Sequence, residues 1–304
     1  MKIVKLLFLL LLSGCTPEPS YGAFDTKNVS PIASALNGAY STLGEDPWAI
    51  LYNPAQIVRL KGAQVSFSYS RPTLKFSQLE TNSFSGIYTR NCLNIAFGIG
   101  VNYLNTNVLY REVTGILSLG ERLGEEEDVW DIALGSNLKL FSLRRGDSSK
   151  PDDPALTPKT ILKLSGDVGL HLRVHKLYFG MSLNNILPAN RGTLTKENVP
   201  MELRLGVGAE KIWNIHPKFW MSPILELTQR DLETSMMGGA KLHFLDHIQF
   251  NCGIDKKNVG MGCTVDVTRA PTEERDLRFS VSYQLPIQEA ENFGSPLVGM
   301  TFLF

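Results

Sequence analysis

The residues best suited to chemistry are two pairs of histidines and one acidic run. His171 and His175 stand four positions apart, as do His243 and His247, and paired imidazoles can hold a metal ion. Each pair, however, meets a predicted turn, so we expect ordinary strand and turn histidines. The run 125–128 (Glu-Glu-Glu-Asp) offers carboxylates of the kind calcium prefers, but consecutive carboxylates are typical of a solvated connection.

Catalytic motifs are absent from the sequence. It contains no nucleophile elbow, phosphate-binding loop or zinc signature. We therefore assign no catalytic, cofactor-binding or metal-binding residue and expect a protein that is not an enzyme. The 30 basic and 30 acidic residues balance, so the chain has no excess of positive charge for binding nucleic acid. Cys92, Cys252 and Cys263 are expected to be unpaired small apolar residues rather than halves of disulfides.

The N-terminus predicts export from the cytoplasm. Residues 1–15 join two lysines to the apolar run 6–12 and end in small residues, which is the pattern of a signal peptide. Leu12-Ser13-Gly14-Cys15 resembles a bacterial lipobox, in which Cys15 would be lipidated and become the first residue. The alternative is ordinary cleavage after residue 22, where Ser20 and Gly22 are suitably small.

The body of the chain alternates apolar with polar residues, the period of a β-strand with two different environments on its faces. In segment 276–285, for example, Leu277, Phe279 and Val281 are separated by Arg278 and Ser280. Fourteen such segments are predicted: 64–70, 83–91, 93–104, 110–118, 129–143, 161–174, 176–186, 201–211, 218–229, 234–245, 247–255, 260–269, 276–286 and 295–304. Tight links are expected near Cys92, His175, Asn214 and Asp246.

Alternation does not by itself say which face meets lipid, because a soluble β-sandwich shows the same period. The polar face carries single charges of both signs, which suits a lumen where charges pair across the interior. These charges are Lys139, Asp167, Arg173, Glu202, Arg204, Glu226, Lys241, Asp266 and Arg278. Together with the export signal they favour residues 61–304 as a closed antiparallel transmembrane β-barrel of about fourteen strands.

Aromatic residues and the terminal strand point the same way. An interfacial girdle is expected from Phe67, Tyr69, Phe97, Tyr103, Trp130, Phe179 and Trp220. Val298, Met300, Phe302 and Phe304 form one apolar row that ends on a terminal aromatic. Such a row resembles the signal read by the barrel-assembly machinery of Gram-negative bacteria.

Residues 23–60 do not alternate and are predicted to be a separate N-terminal segment with short helices or turns at 34–43 and 47–60. Within it, residues 37–60 resemble the N-terminal pattern of the FadL-like superfamily of outer-membrane barrels, particularly its PorV/PorQ branch. The matching positions are Gly38, Ala39, Tyr40, Asp46, Pro47, Asn53, Pro54 and Ala55. Two positions depart from the pattern: Gln56 stands where the family has glycine, and Glu45 replaces an aspartate.

The resemblance implies that residues 23–60 fold into the lumen as a hatch. Asn53 is expected to cap a turn, Pro54 to fix the backbone, and Trp48, Ile50 and Leu51 to anchor the hatch by apolar contact. The implied function is passive transport of a hydrophobic small molecule across the outer membrane of a Gram-negative bacterium. A PorV-like docking or shuttle protein for secreted proteins is one alternative, and a lipidated periplasmic or surface β protein is another.

Overall fold

A computed structural model describes most of the chain from Val29 to Phe304. The described residues are 29–71, 81–92, 94–106, 110–124, 130–145, 159–187, 199–216, 219–230, 233–244, 247–268, 276–287 and 295–304. The export signal, Cys15, both cleavage alternatives, the first residues of the predicted hatch and the acidic run 125–128 lie outside them.

The described residues form one antiparallel sheet of fifteen strands. The strands are β1 (Ala63–Ser70), β2 (Thr81–Cys92), β3 (Ile95–Thr106), β4 (Tyr110–Arg122), β5 (Trp130–Arg145), β6 (Lys159–Val174), β7 (Leu177–Asn184), β8 (Glu202–Ala209), β9 (Trp213–His216), β10 (Phe219–Arg230), β11 (Glu233–Phe244), β12 (Ile248–Ile254), β13 (Asn258–Thr268), β14 (Asp276–Pro286) and β15 (Ser295–Leu303). Every predicted segment overlaps one of these strands.

The sheet closes on itself because β1 pairs with both β2 and β15. Strand β10 pairs with β8 on one side and β11 on the other, while the short β9 pairs with the start of β10. The wall is therefore a closed barrel of fourteen strands, as predicted. Among the described residues no helix combines the length and the apolar character required to cross a membrane.

The ring is joined where the chain ends. The Phe304 backbone N–H donates to the carbonyl of Ala63 at 2.8 Å. Gly62 has a φ of 57°, and a Cβ atom there would stand 2.6 Å from the Phe304 carbonyl oxygen. A residue with a side chain would therefore crowd the terminal strand as well as adopt an unfavourable backbone conformation.

The β8–β9 region differs from the prediction of one strand at 201–211 followed by a turn near Asn214. Strand β8 ends at Ala209, Lys211 takes a φ of 52°, and Asn214 lies inside β9, paired with Trp220. The strand pairing is interrupted at the left-handed residue and then resumes, so Asn214 lies in a strand and not in the predicted turn.

The two faces of the wall have the predicted orientation. On β14 the outward Val281 is 54% exposed, whereas the neighbouring Ser280 is 7% exposed. Other outward side chains are Phe97, Leu138, Leu164 and Val298, and buried inward ones include Ser66, Thr114, Asn137, Asp167, Glu226, Lys241 and Thr264. Apolar side chains outside and polar ones inside are the arrangement of a transmembrane barrel rather than of a soluble one.

Trp220 is an exception to the predicted aromatic girdle. It stacks on His243, with ring centroids 4.9 Å apart, and shares its strand face with the buried Ser222 and Glu226. Because successive strand residues point to opposite sides, Trp220 faces the lumen and not the lipid.

The described part of the hatch, residues 29–60, holds one α-helix and two 3-10 helices. Helix α1 (Pro31–Ala35) is capped by Ser30 and begins earlier than the predicted segment 34–43. It ends early because Asn37 and Gly38 take φ values of 52° and 91°. The 3-10 helices at Pro47–Leu51 and Pro54–Arg59 lie within the predicted segment 47–60.

Candidate functional site

The interior of the barrel is occupied by the hatch, whose apolar side chains form most of the main buried cluster of the described residues, with a few inward wall residues such as Ile116 and Ile224. Trp48, Ile50 and Leu51 are each at most 2% exposed, which fits their predicted anchoring role. Tyr40 and Tyr52 meet edge to face, with ring centroids 5.6 Å apart. The hatch thus places an apolar cluster inside a wall that is largely polar.

Asn53 and Pro54 perform the local roles expected of the motif. The Asn53 side chain accepts a hydrogen bond from the Ala55 N–H at 3.1 Å and so caps the second 3-10 helix, in which Pro54 is the first residue. The Asn53 amide also donates to the carbonyl oxygens of Ser41 and Leu170, each at 3.0 Å. One side chain therefore shapes the hatch and ties it to β6.

Asp46 and Pro47 start the first 3-10 helix in the same manner. The Asp46 carboxylate accepts from the Trp48 N–H at 3.1 Å and from the Ser30 hydroxyl at 3.2 Å. Burial raises the pKa of Asp46 from 3.8 to about 6, although Arg278 and Lys241 lower it. A proton on this carboxyl is therefore held more tightly in the folded barrel than in the unfolded chain.

Glu45 forms the ion pair that joins the hatch to β11. Its carboxylate lies 2.7 Å from the Lys241 ammonium, which also donates to the Leu43 carbonyl. Burial raises the pKa of Glu45, but the positive charges of Lys241 and Arg278 together lower it by more. The pKa therefore falls from 4.5 to about 2. The Arg278 guanidinium donates to the Glu45 carbonyl at 3.1 Å.

A second charged contact joins the hatch to β8 and β10. Glu226 accepts from the backbone N–H of Ser41 at 2.8 Å and from Arg204 at 2.8 Å. Arg204 also donates to the Gly38 carbonyl at 3.1 Å and lies over the Tyr52 ring, 5.0 Å from its centroid. We call this set (Ser41, Gly38, Arg204 and Glu226) the clasp.

The wall reaches the hatch through inward-facing glycines. A Cβ atom on Gly253 would lie 2.5 Å from the Leu36 carbonyl carbon, and one on Gly260 would lie 2.5 Å from the Ala35 oxygen. The same close approach occurs at four other glycines: Gly135 meets Ala55, Gly169 meets Asn53, and both Gly180 and Gly206 meet Ser41. Larger residues at these positions would overlap backbone or side-chain atoms of the hatch, so the inner surface of the wall is matched to the hatch.

Gln56, the departure from the family pattern, ties the hatch to itself. Its amide donates to the Tyr40 carbonyl at 2.6 Å, and its side-chain oxygen accepts from the Gly44 N–H at 2.5 Å. The glutamine thus satisfies two buried backbone groups that a glycine would leave without this partner.

Most of the charges predicted to pair inside the lumen do so. Lys139 lies 2.8 Å from Asp167, and Arg278 lies 2.6 Å from Asp266, while Arg204 bridges Glu202 and Glu226. The sequence pattern identified these charges as lumenal but did not show that Arg204, Glu226, Lys241 and Arg278 hold the hatch.

The histidines lie where the alternation placed them. His171 is a buried lumenal residue whose Nε2 is 3.0 Å from the Thr42 carbonyl, and His175 is in the turn after β6. His243 stacks on Trp220. In the part of the chain that the structure describes, no group of three or more His, Cys, Asp or Glu residues is placed to hold a metal. Cys92, Cys252 and Cys263 are unpaired, as predicted.

The terminal row lies on one face of β15. Val298 and Phe304 are exposed on the outside, and Met300 and Phe302 share their parity. Thr301, between them, is buried in the lumen. Recognition of this row by the assembly machinery stays a prediction.

Comparison with known proteins connects the chain to a group of solved barrels. No family model matches the sequence, and no curated protein matches it either. In structure it is similar to the toluene transporter TbuX of Ralstonia pickettii, with a TM-score of 0.60, 11% identity, and coverage of 92% of this chain and 99% of that one. For the toluene transporter TodX of Pseudomonas putida the values are 0.57, 12%, 92% and 97%.

A Pseudomonas aeruginosa FadL homologue gives a TM-score of 0.55 and 10% identity, covering 90% of this chain and 96% of that one. At such identities the likeness concerns the fold. TbuX and TodX are transporters and not enzymes. The PorV/PorQ branch is not among these structures and stays a prediction. The chain therefore has the fold of these solved barrels, one of them a FadL homologue, as its hatch sequence indicated.

Proposed function

We propose that the protein is a passive channel for a hydrophobic small molecule in the outer membrane of a Gram-negative bacterium, and that the hatch gates it. The observation that carries the proposal is the apolar cluster of the hatch, which is buried from Val29 to Leu60 almost without a break inside a largely polar lumen. The toluene transporters TbuX and TodX, which share the fold, support the choice of a hydrophobic solute.

The lining of the lumen limits where such a solute can travel. A wall of serine, asparagine and paired charges offers an apolar molecule little, because its transfer from water is driven by burial against apolar surface. The apolar surface lies mostly on the hatch, at residues such as Ile32, Leu36 and Ile50, and on the few inward wall residues that meet it, such as Ile116 and Ile224. The path of an apolar solute therefore runs along the hatch, and the hatch must shift to open it.

Uptake of radiolabelled toluene by whole Gram-negative cells that lack other FadL-type channels tests the proposal. We expect cells producing this protein to take up toluene several times faster than cells with an empty vector. Equal rates would overturn the proposal, provided that the protein is found in the outer-membrane fraction and shows the heat-modifiable gel mobility of a folded barrel.

A second candidate is a docking or shuttle protein for secreted proteins. The close fit between the hatch and wall glycines such as Gly253 and Gly260 favours it, because a lumen that stays blocked serves no transport. Loss of a secreted protein from the cell surface on deletion of the gene, with unchanged toluene uptake, would support this function over the first.

The other predictions about targeting follow the same proposal. The outward apolar rows give no support to a lipidated soluble β protein, since such a protein would turn those rows inward.

We propose that the barrel-assembly machinery reads the terminal row. Phe304→Ser should then lower the amount of folded protein in the outer membrane, and Phe279→Ser, at an outward position of the neighbouring β14, should lower it less. Lipidation of Cys15 can be read directly from the mass of the mature N-terminal peptide.

A further inference from the structure

The lipid-facing side of the barrel carries a groove of about 370 Å³ across β6, β7, β8 and β10. One bank is a continuous row of side chains in register: Leu170 pairs with Met181, Met181 with Leu205, and Leu205 with Leu227. All four are outward and 40% to 47% exposed. The row therefore runs across the strands rather than along one of them.

The second bank is the next outward row, two residues away on every strand. Leu172 pairs with Phe179, Phe179 with Val207, and Val207 with Leu225. Two residues of strand separate the banks by about 7 Å, and three strand spacings give the groove a length of about 14 Å. Its lining is apolar along the whole of that length.

The floor of the groove is bare backbone. Between the banks lies the row His171, Gly180, Gly206 and Glu226, whose side chains, where present, point into the lumen. Gly180 and Gly206 line the groove from below. On their inner side the same two glycines rest on Ser41 and Thr42 of the hatch. The wall between the hatch and the lipid is only one backbone thick at this point.

We propose that this groove is a binding site for an acyl chain of a membrane lipid. It is continuous with the apolar outer surface of the barrel, so its occupant must come from the hydrocarbon of the bilayer. Its volume lies in the range of roughly 300 to 1,000 Å³ that small-molecule sites have, and an acyl chain is the apolar molecule most abundant there. Because the floor residues direct any side chain into the lumen, the acyl chain can lie below the level of the flanking outward side chains.

The site is distinct from the proposed path of a transported solute. It lies outside the wall, whereas that path runs along the hatch inside it. A bound acyl chain would pack against the outer side of the wall where Gly180 and Gly206 contact Ser41 on the inner side. It would therefore stabilise the contact between wall and hatch from the lipid side.

The test uses the purified full-length barrel in nanodiscs of phosphatidylethanolamine and phosphatidylglycerol that include a phospholipid with a diazirine on its acyl chain. After irradiation, labelled peptides are mapped by mass spectrometry. We expect labelling of residues 170–181 and 205–227 to exceed that of the outward residues of β13 and β14 several-fold. Labelling in proportion to exposed area around the whole barrel would overturn the proposal.

Variants make the test specific. Val207→Trp fills the groove and should reduce its labelling to the level of the rest of the wall, whereas the matched Val281→Trp, at an outward valine of β14, should leave it unchanged. If Val207→Trp lacks the heat-modifiable mobility of a folded barrel, Val207→Phe takes its place. Unchanged groove labelling in the folded filled variant would overturn the proposal.

A third arm separates the lipid from other occupants. The same mapping is repeated with a diazirine-bearing aromatic hydrocarbon as the probe, and with native membranes in place of nanodiscs. We expect the lipid probe to mark the groove more strongly than the hydrocarbon does. Stronger marking by the hydrocarbon, or crosslinks from the groove to a second protein in native membranes, would contradict the assignment to lipid.

Discussion

Glu226 on β10 accepts a hydrogen bond from the backbone N–H of Ser41 in the hatch, over 2.8 Å. The same carboxylate holds Arg204, which in turn donates to the Gly38 carbonyl. Both charged side chains are buried, and each bonds a main-chain group of the hatch. Because removal of Arg204 would leave Glu226 as an uncompensated buried charge, the clasp makes the seating of the hatch sensitive to a single side chain.

The fit between hatch and wall should make Gly206→Ala destabilising. The new Cβ would overlap the Ser41 hydroxyl and lie 2.8 Å from the Thr42 methyl carbon. We expect the free energy of unfolding to fall by about 1 to 3 kcal/mol, the usual effect of overpacking. Urea unfolding followed by gel mobility measures it.

Gly115→Ala is the matched control, because the nearest atom to its Cβ would be 3.9 Å away, an ordinary contact. Equal unfolding midpoints for the two variants would show that Gly206 does not touch the hatch.

The buried Asp46 should give stability a dependence on pH between about 4 and 6. Its pKa of about 6 in the folded state lies above the ordinary 3.8. Its stabilising contribution is therefore complete below pH 3.8 and is lost as the pH rises through 6. The charged groups that act on the Asp46 carboxyl are Arg278, Lys241 and Glu45. The Ser30 hydroxyl donates a hydrogen bond to it, and Tyr40 interacts with it electrostatically.

Asp46→Asn keeps an oxygen for the Trp48 N–H and removes the titration. We expect the wild type to lose up to about 3 kcal/mol relative to this variant between pH 4 and 7, the equivalent of about two pKa units. Unfolding free energies in detergent across this range give the difference. A difference that stays constant, or has the opposite sign, would contradict the account.

Glu45 should contribute in the opposite direction. Its folded pKa of about 2 lies below the ordinary 4.5, so its contribution is present above pH 4.5 and is lost as the pH falls through 2. Lys241, Arg278 and His243 are the cationic groups that lower it. Glu45→Gln should be less stable than the wild type at pH 6, with a difference that shrinks toward pH 2. Parallel stability curves for the two proteins would exclude the ion pair as the cause.

The sequence was sufficient to predict the barrel and the faces of its strands. Outward residues such as Val281 and inward ones such as Ser280 differ in chemistry at every step, so the period of two is visible without coordinates. The lumenal charges Arg204, Glu226 and Lys241 could be recognised because each is a single charge on a polar face. The capping role of Asn53 followed from its position before Pro54.

Other features depend on the path of the chain in three dimensions. The girdle role assigned to Trp220 was wrong because the assignment used residue type, while strand parity with Glu226 places it inside. The β8–β9 break rests on the left-handed Lys211, a residue whose type does not predict that conformation. Which inward glycines touch the hatch was not visible either, since hatch and wall residues in contact are far apart in sequence, as Ser41 and Gly206 are.

Toluene uptake in clasp variants tests whether release of the hatch opens the path for a hydrophobic solute. Glu226→Gln removes the charge that holds both Arg204 and the Ser41 N–H, while the control Glu202→Gln removes a wall contact of Arg204 that does not reach the hatch. With equal amounts of folded barrel in the outer membrane, the account predicts faster uptake for Glu226→Gln than for the wild type and an unchanged rate for Glu202→Gln. Equal uptake by all three proteins would contradict it.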